Sequence, residues 1–307
     1  MQLRTTNHCI PWPLDLRRAF VAVTFCALML AGGGRAGAQA TAEKPPAAAT
    51  KGQRVFVCGH SFHVFIARPL AEAARAAGIA DHATAGTQFI GGSRTLQHWD
   101  LPDDKNQAKR ALKAGGVDVL TLSPNWIVPD EGIDRFVDLA LEHNPQARII
   151  VQQSWYPFDG FKPELRVAKN EDRDQKTIEQ LRPLLADFTK AIAEQVRATN
   201  QRIGRPVAFV APVGDAVLAL RAKVIAGAAP GIAKQSELFT DPIGHAKPPV
   251  QWLAAYCHFG VIYGRSPVGL TTFEKPNDAE SKRLNRLLQE LAWEAVTRQP
   301  LSGVKAE

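Results

Sequence analysis

Arg54-Val55-Phe56-Val57-Cys58-Gly59-His60-Ser61-Phe62 opens the folded part of the chain. Four consecutive apolar residues, three of them β-branched or aromatic, predict a strand over Arg54–Cys58 that is covered on both faces. Glycine and two polar residues then end it. Strands of this kind belong to parallel sheets, and the sequence downstream bears that out as an expectation. An amphipathic helix is predicted over Val64–Ala77, a weaker strand over Ala83–Ile90 and a helix over Asp104–Ala114. Strand Val117–Leu122, helix Gly132–Glu142 and strand Arg148–Gln152 follow. A long helix over Asp174–Thr199, interrupted at Pro183, leads to a fifth strand at Pro206–Val210. Helices around Gly214–Ile225, Val250–Tyr263 and Ala279–Thr297 complete the chain. Alternation of strand and helix predicts an α/β domain with one parallel sheet. The one long irregular connection, Ser154–Arg173, carries Trp155, Tyr156, Phe158 and Phe161, and connections of that length are often functional.

Upstream of this domain the composition changes. Arg17 and Arg18 precede the apolar run Ala19–Leu30, and Ala36-Gly37-Ala38 offers small residues at a cleavage position. Residues 1–38 are therefore read as a signal peptide, 39–52 as a flexible leader rich in Ala, Pro and Lys, and 53–307 as a single domain. The apolar run is shorter than the roughly 20 residues a spanning helix needs, which weighs against the alternative of an uncleaved anchor. The expected location is periplasmic or extracellular, without stable membrane association after cleavage.

The full chain carries 37 Lys and Arg against 30 Asp and Glu, a net charge of +7. Residues 1–38 hold four of the arginines and one aspartate, so the exported chain would carry only +4. No basic run is interleaved with aromatics, and nucleic acid is not an expected partner. Of four cysteines, Cys9 and Cys26 leave with the signal. Cys58 and Cys257 both sit in apolar contexts and are read as free buried thiols.

Open parallel sheets carry their sites at the carboxyl ends of the strands. Four such places hold informative residues. After the first strand, Ser61 could expose a nucleophilic hydroxyl at the start of a helix, or could simply cap that helix. After the second, Gly91-Gly92-Ser93 offers backbone N–H groups. After the third, Ser123-Pro124-Asn125-Trp126 brings a side-chain amide. Late in the chain, Asp241-Pro242-Ile243-Gly244-His245 sets a carboxylate close before an imidazole, a pair able to orient and use the ring as a base.

These blocks, with the downstream His98-Trp99, resemble those of the SGNH (GDSL-like) hydrolase superfamily, in the branch whose first block reads Gly-His-Ser-Phe or Gly-Asn-Ser-Phe. The resemblance spans about Gln53 to Leu270. It implies a flavodoxin-like three-layer sandwich with a five-stranded parallel sheet, and it implies an esterase. Ser61 would be the nucleophile, His245 the base and Asp241 its acid, with the Ser61 and Gly92 N–H groups and the Asn125 amide forming the oxyanion hole. No cofactor and no metal are implied; His60, His63 and His245 could be drawn together as a three-imidazole site, but no acidic or cysteine ligand accompanies them. His63, His98, Trp126, Trp155 and Tyr156 are candidate substrate contacts; the alternatives are a structural hydrogen-bond partner for His63, a satisfied core residue for His98 and core packing for the three aromatics.

Three departures stand out. His60 replaces the usual aspartate before the serine, and Trp126 replaces the acid after the asparagine. Three residues rather than two separate Asp241 from His245, so that either Gly244 is looped out or Ser61 and His245 act as a dyad with Asp241 only bracing the loop. The expected substrate is a small or carbohydrate ester, the latter suggested by Gln152-Gln153-Ser154-Trp155-Tyr156. A catalytically degenerate carbohydrate-binding protein and a lipase or phospholipase on the same fold are the alternatives.

Overall fold

The computed structural model describes residues 51–305; the stretch read as a signal peptide and nearly all of that read as a leader lie outside the described residues. Five strands form one sheet: β1 (Arg54–Gly59), β2 (Ala83–Phe89), β3 (Val119–Leu122), β4 (Arg148–Gln152) and β5 (Ala208–Ala211). Every neighbouring pair is parallel and the order is β2-β1-β3-β4-β5. Strand order therefore reverses at β1, and the crevice that opens beyond the carboxyl ends of β1 and β3 lies at the switch point.

Period-two alternation sends each strand into two separate cores. Val55, Val57, Val119, Ile150 and Phe209 pack on α1 (Ala67–Ala76), α6 (Val213–Ile225), α7 (Pro248–Tyr263) and α8 (Ala279–Arg298). Phe56, Cys58, Leu120, Leu122, Ile149 and Val151 pack on α3 (Gln107–Lys113), α4 (Glu131–His143) and α5 (Ile178–Ile203). The result is the three-layer sandwich that continuous apolar strands require. β2 was weak in sequence because it is an edge strand with only Gln88 buried. Cys58 and Cys257 are free and buried. No described helix is long and apolar enough to cross a membrane.

Two elements depart from expectation. α5 begins at Ile178 rather than Asp174, because Thr177 caps it reciprocally with Gln180. It also runs unbroken through Pro183. The bond that proline forfeits would have gone to the carbonyl of exposed Glu179 in the first turn, where water serves as donor. The short helix α2 (Thr95–Trp99) was not anticipated. Its N–H groups at Thr95 and Leu96 donate to the buried Asp130 carboxylate at 2.6 and 2.9 Å, which also accepts from Gly132 at the start of α4. A cap supplied from the far side of β3 leaves no local signal.

Candidate active site

Ser61 stands on a tight turn beyond β1, where the His63 and Val64 N–H groups both donate to the His60 carbonyl. It does not open a helix: a single 3-10 turn, Val64–Ile66, intervenes before α1. The reading of Ser61 as an ordinary helix cap fails for the same reason, since its hydroxyl lies 3.0 Å from His245 Nε2 instead. On the other side of the ring, His245 Nδ1 lies 2.6 Å from Asp241 Oδ2. A carboxylate can only accept, so Nδ1 carries the proton and Nε2 presents its lone pair to the Ser61 hydroxyl. Hydroxyl, imidazole and carboxylate thus form one continuous relay.

The extra residue between Asp241 and His245 is taken up at Gly244, whose φ of +99° is unfavourable for other residues. Folded this way, the Gly244 and His245 N–H groups donate to Asp241 Oδ1 at 2.9 and 3.3 Å. Partial burial raises the affinity of the Asp241 carboxyl for a proton, but the His245 N–H and these two backbone bonds outweigh it and hold the group below the usual carboxylate range.

Beyond β2, Gly92 adopts a φ of +62°. Beyond β3, the Asn125 amide oxygen accepts from the Ile127 N–H at 3.0 Å, which turns its NH2 toward the Gly92 carbonyl, 3.4 Å away. The Ser61 and Gly92 N–H groups donate to no acceptor among the described residues. Asn125 and Gly92 therefore meet at the same sheet edge as Ser61, linked to its turn through Trp126, whose ring lies 5.6 Å from both His60 and Phe62.

The substituted His60 takes over a bracing role. Its Nδ1 accepts from the Phe62 N–H at 3.3 Å, and its Nε2 reaches the Pro124 carbonyl and the Ser123 hydroxyl at 3.4 and 3.2 Å. One neutral ring thereby ties the first block to the third. Burial is the main reason its pKa falls to about 4.

Three of the candidate substrate contacts are buried and engaged within the fold instead. His63 is fully buried, with Nδ1 on Gln152 Oε1 at 2.9 Å and Nε2 on Thr121 Oγ1 at 3.0 Å. It is a strut between β3, β4 and the turn, and both nitrogens are committed. His98 is equally buried, with Nε2 on Ser93 Oγ at 2.7 Å and Nδ1 on Gln88 Nε2 at 3.3 Å, and it braces the glycine turn. Nor do His60, His63 and His245 form a metal-binding set; no such group occurs among the described residues. Trp155 is buried too, stacked on Phe62 at 4.7 Å with its indole N–H donating to the Gly244 carbonyl at 2.9 Å. Trp126 and Tyr156 are half-buried, 6.0 Å apart, and join the exposed Phe161.

Gln152 and Gln153, read from sequence as polar cleft residues, face inward. Gln152 donates to the Phe62 carbonyl and the Ser154 hydroxyl, and Gln153 bridges Thr189 and the Asp215 N–H. What the strand ends expose is apolar. Phe89, which pairs with Gly59 at the end of β2, Ile127 just after Asn125 and Trp126, Phe161, and Ile243 beside Gly244 are four of the five large hydrophobic residues exposed among the described residues.

No family model matches the chain, and no curated protein is significantly similar to it. Solved structures are. A DUF4886 family protein from Bacteroides uniformis superposes with a TM-score of 0.50 at 15% identity, covering 81% of this chain and 95% of that one. This chain shares that protein's fold, an α/β three-layer sandwich on a five-stranded parallel sheet. A protein assigned as an SGNH hydrolase from Slackia heliotrinireducens gives a TM-score of 0.41 at 18% identity over 68% of this chain and 97% of its own. One assigned as a GDSL-like lipase from Parabacteroides merdae gives 0.44 at 13% identity over 71% and 99%. His60 and Gly244 have structural partners of their own: His60 bridges to Pro124, and Gly244 rests against Trp155.

Proposed function

We propose that this chain is an exported serine ester hydrolase. The observation that carries the reading is the relay from Ser61 Oγ through His245 to Asp241, at 3.0 and 2.6 Å. In the first step His245 Nε2 takes the Ser61 proton as Oγ attacks the ester carbonyl. The oxyanion is stabilised by the Ser61 and Gly92 N–H groups and the Asn125 amide. Collapse expels the alcohol, which receives the proton from His245, and leaves an acyl-serine. Water, deprotonated by the same ring, then releases the acid and restores Ser61.

The exposed apolar side chains Phe89, Ile127, Phe161 and Ile243 favour an ester with an apolar acyl or alcohol group. A glycan ester has less support, because the glutamines that suggested it are turned into the core. The test uses a fluorophosphonate probe with p-nitrophenyl acetate and butyrate. Wild-type protein is expected to be labelled and to turn over butyrate at least as well as acetate, and Ser61→Ala to lose both labelling and turnover. A wild-type protein that neither labels nor hydrolyses either ester sinks the enzyme reading, and glycan binding that persists in Ser61→Ala then marks the degenerate binder.

A further inference from the structure

Every carbonyl from Asp241 to Gly244 is held by the connection between β4 and α5. Arg173 Nη1 donates to the Asp241 carbonyl at 2.9 Å and Nη2 to that of Pro242 at 2.6 Å. The Phe158 N–H donates to the Ile243 carbonyl at 3.0 Å, and the Trp155 indole takes that of Gly244. Four successive acceptors are thus gripped by three residues of one segment.

The grip is itself anchored. Arg173 has no exposed side-chain surface, and its Nε donates to Asp159 Oδ1 at 3.2 Å. Asp159, at a φ of +60°, also receives both terminal nitrogens of Arg221 from α6, at 2.9 and 2.7 Å. Asn170 fixes the second face of the Arg173 guanidinium, accepting from Nη1 at 2.6 Å while its own NH2 donates to Ser236 and Phe239 carbonyls. At Gly244 a Cβ would lie 3.1 Å from Arg173 Nη2 and 3.4 Å from Trp155 Nε1, so the glycine leaves room for both donors. Trp155 closes the circuit by stacking on Phe62, the residue after Ser61.

We propose that Arg173, with Trp155, is a positioning residue that holds the lengthened Asp241–His245 loop in register with Ser61. A four-residue acid-to-base span could reach the same place from its own turn geometry; the five-residue span has one more pair of soft dihedrals, and donors from outside the loop remove that freedom. The effect on catalysis rests on the esterase reading above, whereas the effect on His245 geometry does not.

Full-length Arg173→Met, Arg173→Lys and Trp155→Phe are compared with wild type and with Arg68→Met, which disturbs only the surface pair with Glu72. The first readout is the low-field proton resonance of His245 Nδ1–H, identified by its absence in His245→Gln. The second is kcat and KM on p-nitrophenyl butyrate, with thermal melting as the check on folding. Arg173→Met is expected to lose the resonance and to reduce kcat on the order of 100-fold with KM little changed, as a displaced base does. Arg173→Lys, which can serve one carbonyl but not two, recovers part of both. Trp155→Phe, short of one hydrogen bond, moves the resonance and lowers kcat about two- to tenfold. Arg68→Met changes nothing. A folded Arg173→Met that keeps the wild-type resonance and kcat overturns the proposal; if that variant does not fold, an unchanged Trp155→Phe overturns it. A wild type without the resonance also overturns it, while a wild type with the resonance but without esterase activity removes the functional reading and leaves the clamp standing.

Discussion

Around Ser61 the support is neutral and buried: His60, His63 and His98 brace the turns beyond β1 and β2 through uncharged ring nitrogens. Around His245 it is ionic, with Arg173 and Arg221 sharing Asp159 beneath the loop. The nucleophile side follows directly from strand ends, whose positions the sheet already determines, so short-range hydrogen bonds suffice. The base side hangs on a long loop, and charged donors with fixed geometry replace the sheet as its reference frame. The two supports should therefore fail under different insults.

Acid separates them with the largest effect. Burial holds His60, His98 and His258 at about 4, and His63 well below its ordinary 6.5; His258 lies on α7 with its ring 5.2 Å from that of His63. Neutral in the fold and more basic in the unfolded chain, these rings favour folding fully above pH 6.5 and lose that contribution progressively as pH falls from there to about 4. Each unit of depression corresponds to about 1.4 kcal/mol. Asp241, held below its ordinary 3.8, keeps its contribution until lower pH. Unfolding free energies from urea titrations between pH 7.5 and 4.5 should therefore drop by several kcal/mol, and a flat profile would remove the neutral-support account.

Charge removal tests the other side. Asp159→Asn keeps a residue that tolerates the left-handed backbone but leaves two buried guanidinium groups without their carboxylate. The expected loss is about 3–5 kcal/mol of stability in urea unfolding, and a loss under 1 kcal/mol would show the ionic network to be dispensable. Smaller again, and confined to catalysis, is Asn125→Ala at the neutral side. One missing oxyanion donor costs about 2.7–4 kcal/mol of barrier, a roughly 100- to 1000-fold fall in kcat. Because the side chain is half-buried and holds only the Ile127 N–H and, at 3.4 Å, the Gly92 carbonyl, melting should barely move; a kcat within threefold of wild type would exclude Asn125 from the oxyanion hole.

Much of the nucleophile side was readable in one dimension. Apolar runs marked the five strands within a few residues, and the principle that sites gather at their carboxyl ends selected Ser61, Gly92 and Asn125. The geometry at His245 was not readable, because Asp-Pro-Ile-Gly-His is compatible with a relay or with a dyad. Gly244 was the one local hint, a residue that can take the positive φ the relay needs. His63 and His98 could be read as struts or as cleft residues, because nothing local reveals that Gln152, Thr121 or Ser93 consumes their nitrogens. Arg173 and Asp159 lay inside the stretch singled out as a long irregular connection, yet no spacing pattern marks an arginine that binds carbonyls nearly 70 residues away.

The sequence by itself determined the alternation of strand and helix, the doubly covered sheet and the four strand-end blocks, since these depend on periodicity and on residues a few positions apart. Tertiary structure alone decided whether His245 reaches Ser61 with Asp241 behind it, which histidines are struts, and what the long connection is for. Those outcomes depend on hydrogen bonds between segments brought together only when the sheet is assembled, and on burial that makes each unpaired group costly enough to select one arrangement.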